Sequence, residues 1–226
     1  MKFLASFILS FLFISTASAA LWRLEFEVNY KSSIYDELRD QQKFLDKKIS
    51  QTSVNPKITA GLLLFPHWLY FEADVENTGH LLTQTEGRSY KLFRQSSRMG
   101  ISLPARPLNL TLVAEQFYHK MSATPADFGY QSTSGMQYYP LLDYSLPNGS
   151  RLFLKYPVLQ NVSGRKELIA GLHLRFGGVP APYPTNQYQP AWLLKIEYSD
   201  ETLKFNEVRE VLLRFRTWSA GIAYNF

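Results

Sequence analysis

Apolar and polar residues alternate with a period of two over much of this chain. In the segment from 22 to 30, Trp22, Leu24, Phe26, Val28 and Tyr30 fall on one side, and Arg23, Glu25, Glu27 and Asn29 on the other. Successive side chains of a strand point to opposite faces, so this pattern predicts a strand with one greasy and one charged face. The last segment repeats it: Trp218, Ala220, Ile222, Tyr224 and Phe226 alternate with Thr217, Ser219, Gly221, Ala223 and Asn225. Charges on one face suit a polar lumen, and apolar residues on the other suit lipid. Trp22 and Tyr30 bracket the first apolar run as interface anchors would. Eight residues span roughly 26 Å along a strand, or about 20 Å after tilting, against an expected band of roughly 25 Å.

Eight further segments alternate between these two. Ile58, Ala60, Leu62 and Leu64 form one apolar face; Leu69, Phe71, Ala73 and Val75 form the next, opposite Glu72 and Asp74. Met99, Ile101 and Leu103 oppose Arg98, Gly100 and Ser102, and Leu108, Leu110, Leu112 and Ala114 oppose Asn109, Thr111 and Glu115. Leu142, Tyr144 and Leu146 oppose Asp143 and Ser145; Leu152, Leu154 and Tyr156 oppose Arg151 and Lys155. Leu168, Ala170, Leu172, Leu174 and Phe176 oppose Glu167, Gly171, His173 and Arg175; Trp192, Leu194, Ile196 and Tyr198 oppose Lys195, Glu197 and Ser199. The prediction is an all-β fold, an antiparallel up-and-down transmembrane β-barrel of ten strands, or of eight if one hairpin stays out of the membrane.

Turn residues at 65–67, 104–107 and 147–149 predict tight hairpins. The other connections read as long loops, at about 31–57, 76–90, 119–134, 158–166 and 199–210. Tight turns on one side and long loops on the other match a barrel's periplasmic and extracellular ends. The Pro-rich connection from Gly177 to Pro190 is the long exception on the tight side. Within 31–50, Ile34, Leu38, Leu45 and Ile49 have a loose helical spacing among many charges, which reads as a solvated loop or short surface helix, with a lid or receptor-facing loop as the functional alternative. The polar stretch from Tyr90 to Ser97 could extend its strand above the lipid.

The amino terminus changes the compartment. Lys2, the apolar run Phe3 to Ile14, and Ala17-Ser18-Ala19 form a secretory signal peptide over 1–19, leaving 20–226 as one barrel domain. The apolar run is short of the roughly 20 residues that a membrane helix needs. The chain has no cysteine, so it is not a disulfide scaffold and offers no thiolate chemistry. Its 14 Tyr and 16 Phe would supply aromatic belts at two membrane interfaces. The net charge of +5 is dispersed along an exported chain, so nucleic acid is not an expected partner.

The final octapeptide Ser219-Ala220-Gly221-Ile222-Ala223-Tyr224-Asn225-Phe226 resembles the assembly signal of Gram-negative outer-membrane barrels. Ser219, Gly221, Tyr224 and Phe226 fall on the pattern's four defined places. The resemblance covers only the last strand. It implies the cell outer membrane, recognition by the barrel-assembly machinery, and escort by periplasmic chaperones. A terminal Phe at the periplasmic side also requires an even strand count.

Candidate chemistry is sparse. Four scattered histidines lack metal-ligand spacing, there is no Gly-rich phosphate loop, and no cofactor is expected. Glu115 and His119 share a face about 13 Å apart, and His173 can meet Glu197 across consecutive strands. Inward Arg23, Glu25, Glu27, Glu72, Asp74, Arg98, Glu115, Asp143, Arg151, Lys155, Arg175, Lys195 and Glu197 have mixed signs and must pair in a filled lumen. Outward Arg214 and Arg216, just above Trp218, are candidate contacts for lipopolysaccharide phosphates. The leading expectation is a monomeric, non-enzymatic barrel with a structural, surface-interaction or narrow small-solute conduit role. The alternatives are a barrel enzyme acting on lipid or peptide, with Glu72, Asp74 and His119 gathered at the extracellular rim, and a soluble secreted β-sandwich. The membrane barrel should migrate heat-modifiably on a gel, and release from membranes by carbonate alone would contradict it.

Overall fold

The structure is a computed structural model. It describes residues 21–39, 42–43, 49–64, 68–84, 89–124, 130–156, 165–178, 184–205 and 211–226. The signal peptide at 1–19, the turn at 65–67 and Leu45 lie outside the described residues.

Ten strands follow one another around the wall. They are β1 (Leu21–Arg39), β2 (Ile49–Leu64), β3 (Leu69–Asn77, resuming as His80–Gln84), β4 (Ser89–Ala105) and β5 (Leu108–Thr124). The second half is β6 (Tyr130–Ser145), β7 (Arg151–Lys155), β8 (Arg165–Phe176), β9 (Ala191–Phe205) and β10 (Val211–Asn225). Each pairs antiparallel with the next, and β10 returns to β1 from Glu25↔Asn225 to Arg39↔Val211. The barrel is therefore closed, all-β and ten-stranded. Leu21 and Phe226 lie at one end, which is taken as periplasmic because the described tight turns at 106–107 and 147–149 are there.

Within the expected membrane band the outward positions are apolar, and the inward ones are mostly polar or charged apart from a few such as Tyr70, Val113 and Tyr139. Trp22, Phe26, Val28 and Tyr30 are exposed to the outside, while Arg23, Glu25, Glu27 and Asn29 are buried inside. Trp192 and Tyr224 stack at the periplasmic end (ring centroids 4.8 Å), and Tyr198 and Trp218 at the other (4.9 Å). These pairs mark two aromatic girdles.

Where they are described, the predicted long loops are mostly strand; 158–164 lies outside the described residues. β1 runs on to Arg39 and β2 begins at Ile49, so the helical reading of 31–50 fails for its described part. Likewise β5 reaches Thr124, β6 starts at Tyr130, and β9 and β10 extend to Phe205 and from Val211. The reason is a reversal of polarity along single strands. Above the upper girdle, the inward positions become apolar: Tyr35, Ile49, Tyr90, Leu92, Met121, Leu203, Phe205, Val211, Leu213 and Phe215 pack into one buried cluster. The outward positions become polar or charged, as in Asp36, Lys91, Lys120, Lys204, Arg214 and Arg216. This upper part is a collar built like a water-soluble barrel, and it stands on a membrane barrel built the opposite way.

Where regular pairing breaks, side chains replace the ladder. Between the two pieces of β3, Thr78 Oγ1 accepts from Leu92 N–H (3.0 Å), and Thr78 N–H donates to Leu92 O (2.8 Å). Gln51 accepts from Tyr90 N–H and donates to Tyr90 O, both at 2.8 Å. No backbone group of Tyr90 is left unpaired by the break, as burial demands.

Two inward aromatics lie across glycines on the neighbouring strand. Tyr70 sits directly opposite Gly100, and Phe153 opposite Gly171. A Cβ at Gly100 would overlap the Tyr70 ring. Gly100→Val should push Tyr70 into the packed lumen and cost about 1–3 kcal/mol, read as a lower denaturant midpoint for the folded, heat-modifiable form.

Candidate functional site

The lumen has three layers. At the top lies the apolar cluster of the collar. At the bottom lies a smaller cluster of Leu63, Tyr70, Val113, Tyr139 and Tyr188. Between them is a network of ion pairs.

The network's centre is Arg165, which donates from Nη1 to Glu115 (2.9 Å), from Nη2 to Glu167 (2.7 Å) and from Nε to Glu201 (2.7 Å). Lys155 Nζ joins the same Glu115 (3.0 Å) and Glu167 (2.6 Å), and Arg94 takes the second oxygen of Glu201 (2.8 Å). Below, Arg23 pairs with Glu72 (2.6 Å), and Arg98 pairs with Asp74. Lys195 lies between Glu25 and Glu27, at 2.6 Å from each. Arg151 pairs with Asp143 (2.9 Å) and donates from Nε to His173 Nδ1 (3.2 Å). Since Nδ1 accepts, the proton of His173 sits on Nε2, which donates to Glu197 (2.7 Å). The expected meeting of His173 and Glu197 therefore occurs, as a neutral-histidine link within the network.

All thirteen inward charges anticipated from sequence face the lumen. Arg94, Arg165 and Glu201 were missed because they fall in stretches read as loops or as strand above the lipid. Carrying the strand parity through the change of polarity would have found them. Glu72, Asp74 and His119 do not gather at the extracellular rim. Glu72 lies opposite Gly61, which lies opposite Arg23 near the periplasmic end. Glu72 and Asp74 are spent on Arg23 and Arg98, whereas His119 sits higher, with Nδ1 3.9 Å from Glu201. These three residues therefore form no common cluster at the rim.

The described end of the Pro-rich connection, 184–190, folds into the periplasmic mouth. Its 3-10 turn, Thr185–Tyr188, is held by Arg23 Nη1 donating to Gln187 Oε1 (2.8 Å) and by Asn225 Nδ2 donating to Gln189 O (2.9 Å). Arg175 Nη2 donates to the carbonyls of Gln189 and Pro190 (3.3 Å each). Tyr188 closes the lower apolar cluster. Its role could not be read from sequence, because its partners lie on β1, β8 and β10.

Two chambers remain inside the network. The upper, about 110 Å³, is lined by Lys31, Lys57, Arg94, Arg98, Lys155 and Arg165 and by Glu27, Asp74, Glu76, Glu115, Glu167 and Glu197. The lower, about 130 Å³, is lined by Arg23, Lys57, Arg98, Arg151, Lys155, Arg175 and Lys195 and by Glu25, Glu72 and Glu197.

On the outside, Arg214 and Arg216 project just above the Tyr198–Trp218 pair. Arg214 donates to both oxygens of Asp200 (3.1 and 2.8 Å), and Arg216 Nε lies 3.4 Å from it. The Arg214 hydrogen bonds hold the Asp200 carboxyl below its ordinary range. Ser219 and Gly221 face inward, with Gly221 against the Asn29 side chain where a Cβ would overlap it; Tyr224 and Phe226 face outward.

A closed wall with a lipid-facing apolar band, two aromatic girdles and a charged interior decides the class. The chain is a β-barrel of the outer membrane. No protein-family model and no curated protein matches the sequence. Among solved structures, Neisserial surface protein A is similar at 15% identity over 89% of this chain and 97% of that one, with a TM-score of 0.39. The outer membrane protease OmpT from Escherichia coli is similar at 8% identity over 92% and 98%, with a TM-score of 0.49. The Pseudomonas putida toluene transporter TodX is similar at 10% identity over 91% and 89%, with a TM-score of 0.36. None of the three brings a residue role to this barrel.

The Lys195 pairing has a measurable consequence. Lys195→Met leaves Glu25 and Glu27 buried together without their shared cation, which should cost about 3–5 kcal/mol. Guanidinium unfolding of the barrel in detergent micelles measures the loss.

Proposed function

We propose that this outer-membrane barrel is a non-conducting surface protein with a structural or surface-interaction role, anchored in the outer leaflet through Arg214 and Arg216. The observation that carries this reading is the filled lumen. An apolar layer and a paired charge network lie in series along the axis. A permeating solute would have to displace packed Phe205, Leu213 and Phe215 and then pass Arg165 with its three carboxylates. Breaking such pairs strands buried charge, which is costly. Ten strands enclose little space beyond what side chains fill. The narrow-conduit role is the less favoured reading for this reason.

Two exposed guanidiniums beside a tryptophan suit the phosphates of lipopolysaccharide, which a planar fork can grip with two hydrogen bonds. Asp200 between them fixes their spacing and leaves one positive charge in excess. In the same reading, the signal at 1–19 is cleaved and periplasmic chaperones escort the chain. Ser219, Gly221, Tyr224 and Phe226 are read by the barrel-assembly machinery, and the product works as a monomer.

Reconstituted in planar bilayers, the protein should give no conductance steps, and a stable single-channel current would overturn the sealed reading. Arg214→Ala with Arg216→Ala should weaken lipopolysaccharide binding by roughly tenfold, the loss of about one charge-assisted hydrogen bond. Retained affinity would remove the anchoring role.

A further inference from the structure

Directly above the Tyr198–Trp218 pair, the outer wall of the collar is hollowed. A groove of about 700 Å³ crosses the outward faces of β8, β9, β10 and β1, with Tyr156 closing one end. That volume lies in the range of small-molecule sites. Strand register builds the groove row by row. Leu168 stands opposite Asp200 in the first row above the aromatic pair. In the second row, Thr202 stands opposite both Lys166 and Arg214, and Arg214 opposite Asp36. In the third, Leu212 stands opposite Leu38. Successive rows lie roughly 7 Å apart along a strand, and from Tyr156 to Asp36 the groove spans four strand spacings, roughly 19 Å.

The lining is of two kinds. Leu38, Leu168 and Leu212 are half-buried and form an apolar floor. Tyr156 is 56% exposed and offers a ring with a hydroxyl at its tip. Around them, Asp36 and Asp200 face Lys166 and Arg214, two charges of each sign. Glu37 also borders the groove but turns its carboxylate inward, where it accepts from the Tyr90 hydroxyl. Arg216 lies just outside, so the excess positive charge sits at the edge of the groove and not on its floor. The Lys166 ammonium and the Thr202 and Tyr156 hydroxyls make no hydrogen bond among the described residues. Arg214 donates once to each Asp200 oxygen, and a carboxylate has about four lone-pair sites, so acceptor capacity remains.

A groove with balanced charge does not select an anion. Apolar strips set between donors and acceptors match a saccharide, whose rings have C–H faces and a rim of hydroxyls that both donate and accept. The groove's place decides whose saccharide. It includes Arg214 and faces outward directly above the aromatic girdle, where the headgroups of the outer leaflet surround the wall. We propose that this groove binds the core oligosaccharide of the lipopolysaccharide molecule whose phosphate Arg214 and Arg216 grip. One ring stacks on Tyr156, and the next lies over Leu168 and Leu212 with its hydroxyls on Lys166, Thr202 and Asp200. The choice of glycolipid rests on the anchoring role proposed for the two arginines; the saccharide chemistry of the groove does not.

The test titrates the folded, detergent-purified protein with two probes. One is a core oligosaccharide stripped of its acyl chains and phosphates; the other is lipid A, which has both but no core. Wild type should bind the oligosaccharide saturably with unit stoichiometry. Tyr156→Ala should weaken that binding roughly tenfold and leave lipid A affinity unchanged, while Tyr156→Phe keeps most of the oligosaccharide affinity. Thr202→Trp fills the groove and should abolish oligosaccharide binding. Heat-modifiable migration checks that each variant is folded, and should one fail, the other decides. No saturable uptake by wild type would overturn the proposal, as would unchanged oligosaccharide affinity in either variant. An equal loss of lipid A affinity in Tyr156→Ala would place an acyl chain in the groove and overturn it too. Failure of the anchoring role shows separately, as unchanged lipid A affinity in the double variant Arg214→Ala, Arg216→Ala.

Discussion

Hydrocarbon offers no hydrogen bonds, so every backbone amide and carbonyl at membrane depth must find a partner on the chain itself. For a sheet, this means having no free edge within the bilayer. The long β1–β10 seam, from Glu25↔Asn225 to Arg39↔Val211, meets that requirement, and the Phe226 amide adds a last bond to Leu24 O. The even strand number, the shared location of Leu21 and Phe226 and the inward crowding of charge all follow from closing the sheet on itself.

Closure with ten strands leaves an interior that must be filled. The chain fills it with charges at the centre and apolar side chains at both ends. At its centre the carboxylates are shared: Glu115 and Glu167 each serve both Lys155 and Arg165. Sharing spreads the desolvation cost over several bonds and makes the pairs mutually dependent. The apolar layer above then excludes water from that network on the extracellular side. The Thr185–Tyr188 turn covers it on the other, tied down by side chains from three different strands.

Much of this was legible because membrane strands have a strict period of two. Trp22 to Tyr30 and Trp218 to Phe226 declare their faces without any tertiary information, and the inward charges could be named from them. What hid was everything beyond Lys31, Ser96 and Ser199. There, apolar residues move to the inward face and polar ones to the outward face, so a reading tuned to greasy outside positions loses the strand. Tyr35 and Phe215 belong to the same strands as Tyr30 and Trp218, yet they follow the opposite rule. The periplasmic turn hid for another reason: nothing local to Gln187 or Tyr188 signals that Arg23 and Asn225 will reach them from the two ends of the chain.

The reversal of polarity along single strands also acts as a depth gauge. If the barrel sank toward the periplasm, Arg214, Arg216 and Lys120 would enter the hydrocarbon; if it rose, Trp22 and Trp192 would lose their interface. Both displacements are opposed from all around the wall, because neighbouring strands change sign at a common height. The plane of the outer leaflet is thus written into the sequence of each long strand, and the collar above it stands clear of the bilayer by a distance that the lipids cannot easily renegotiate.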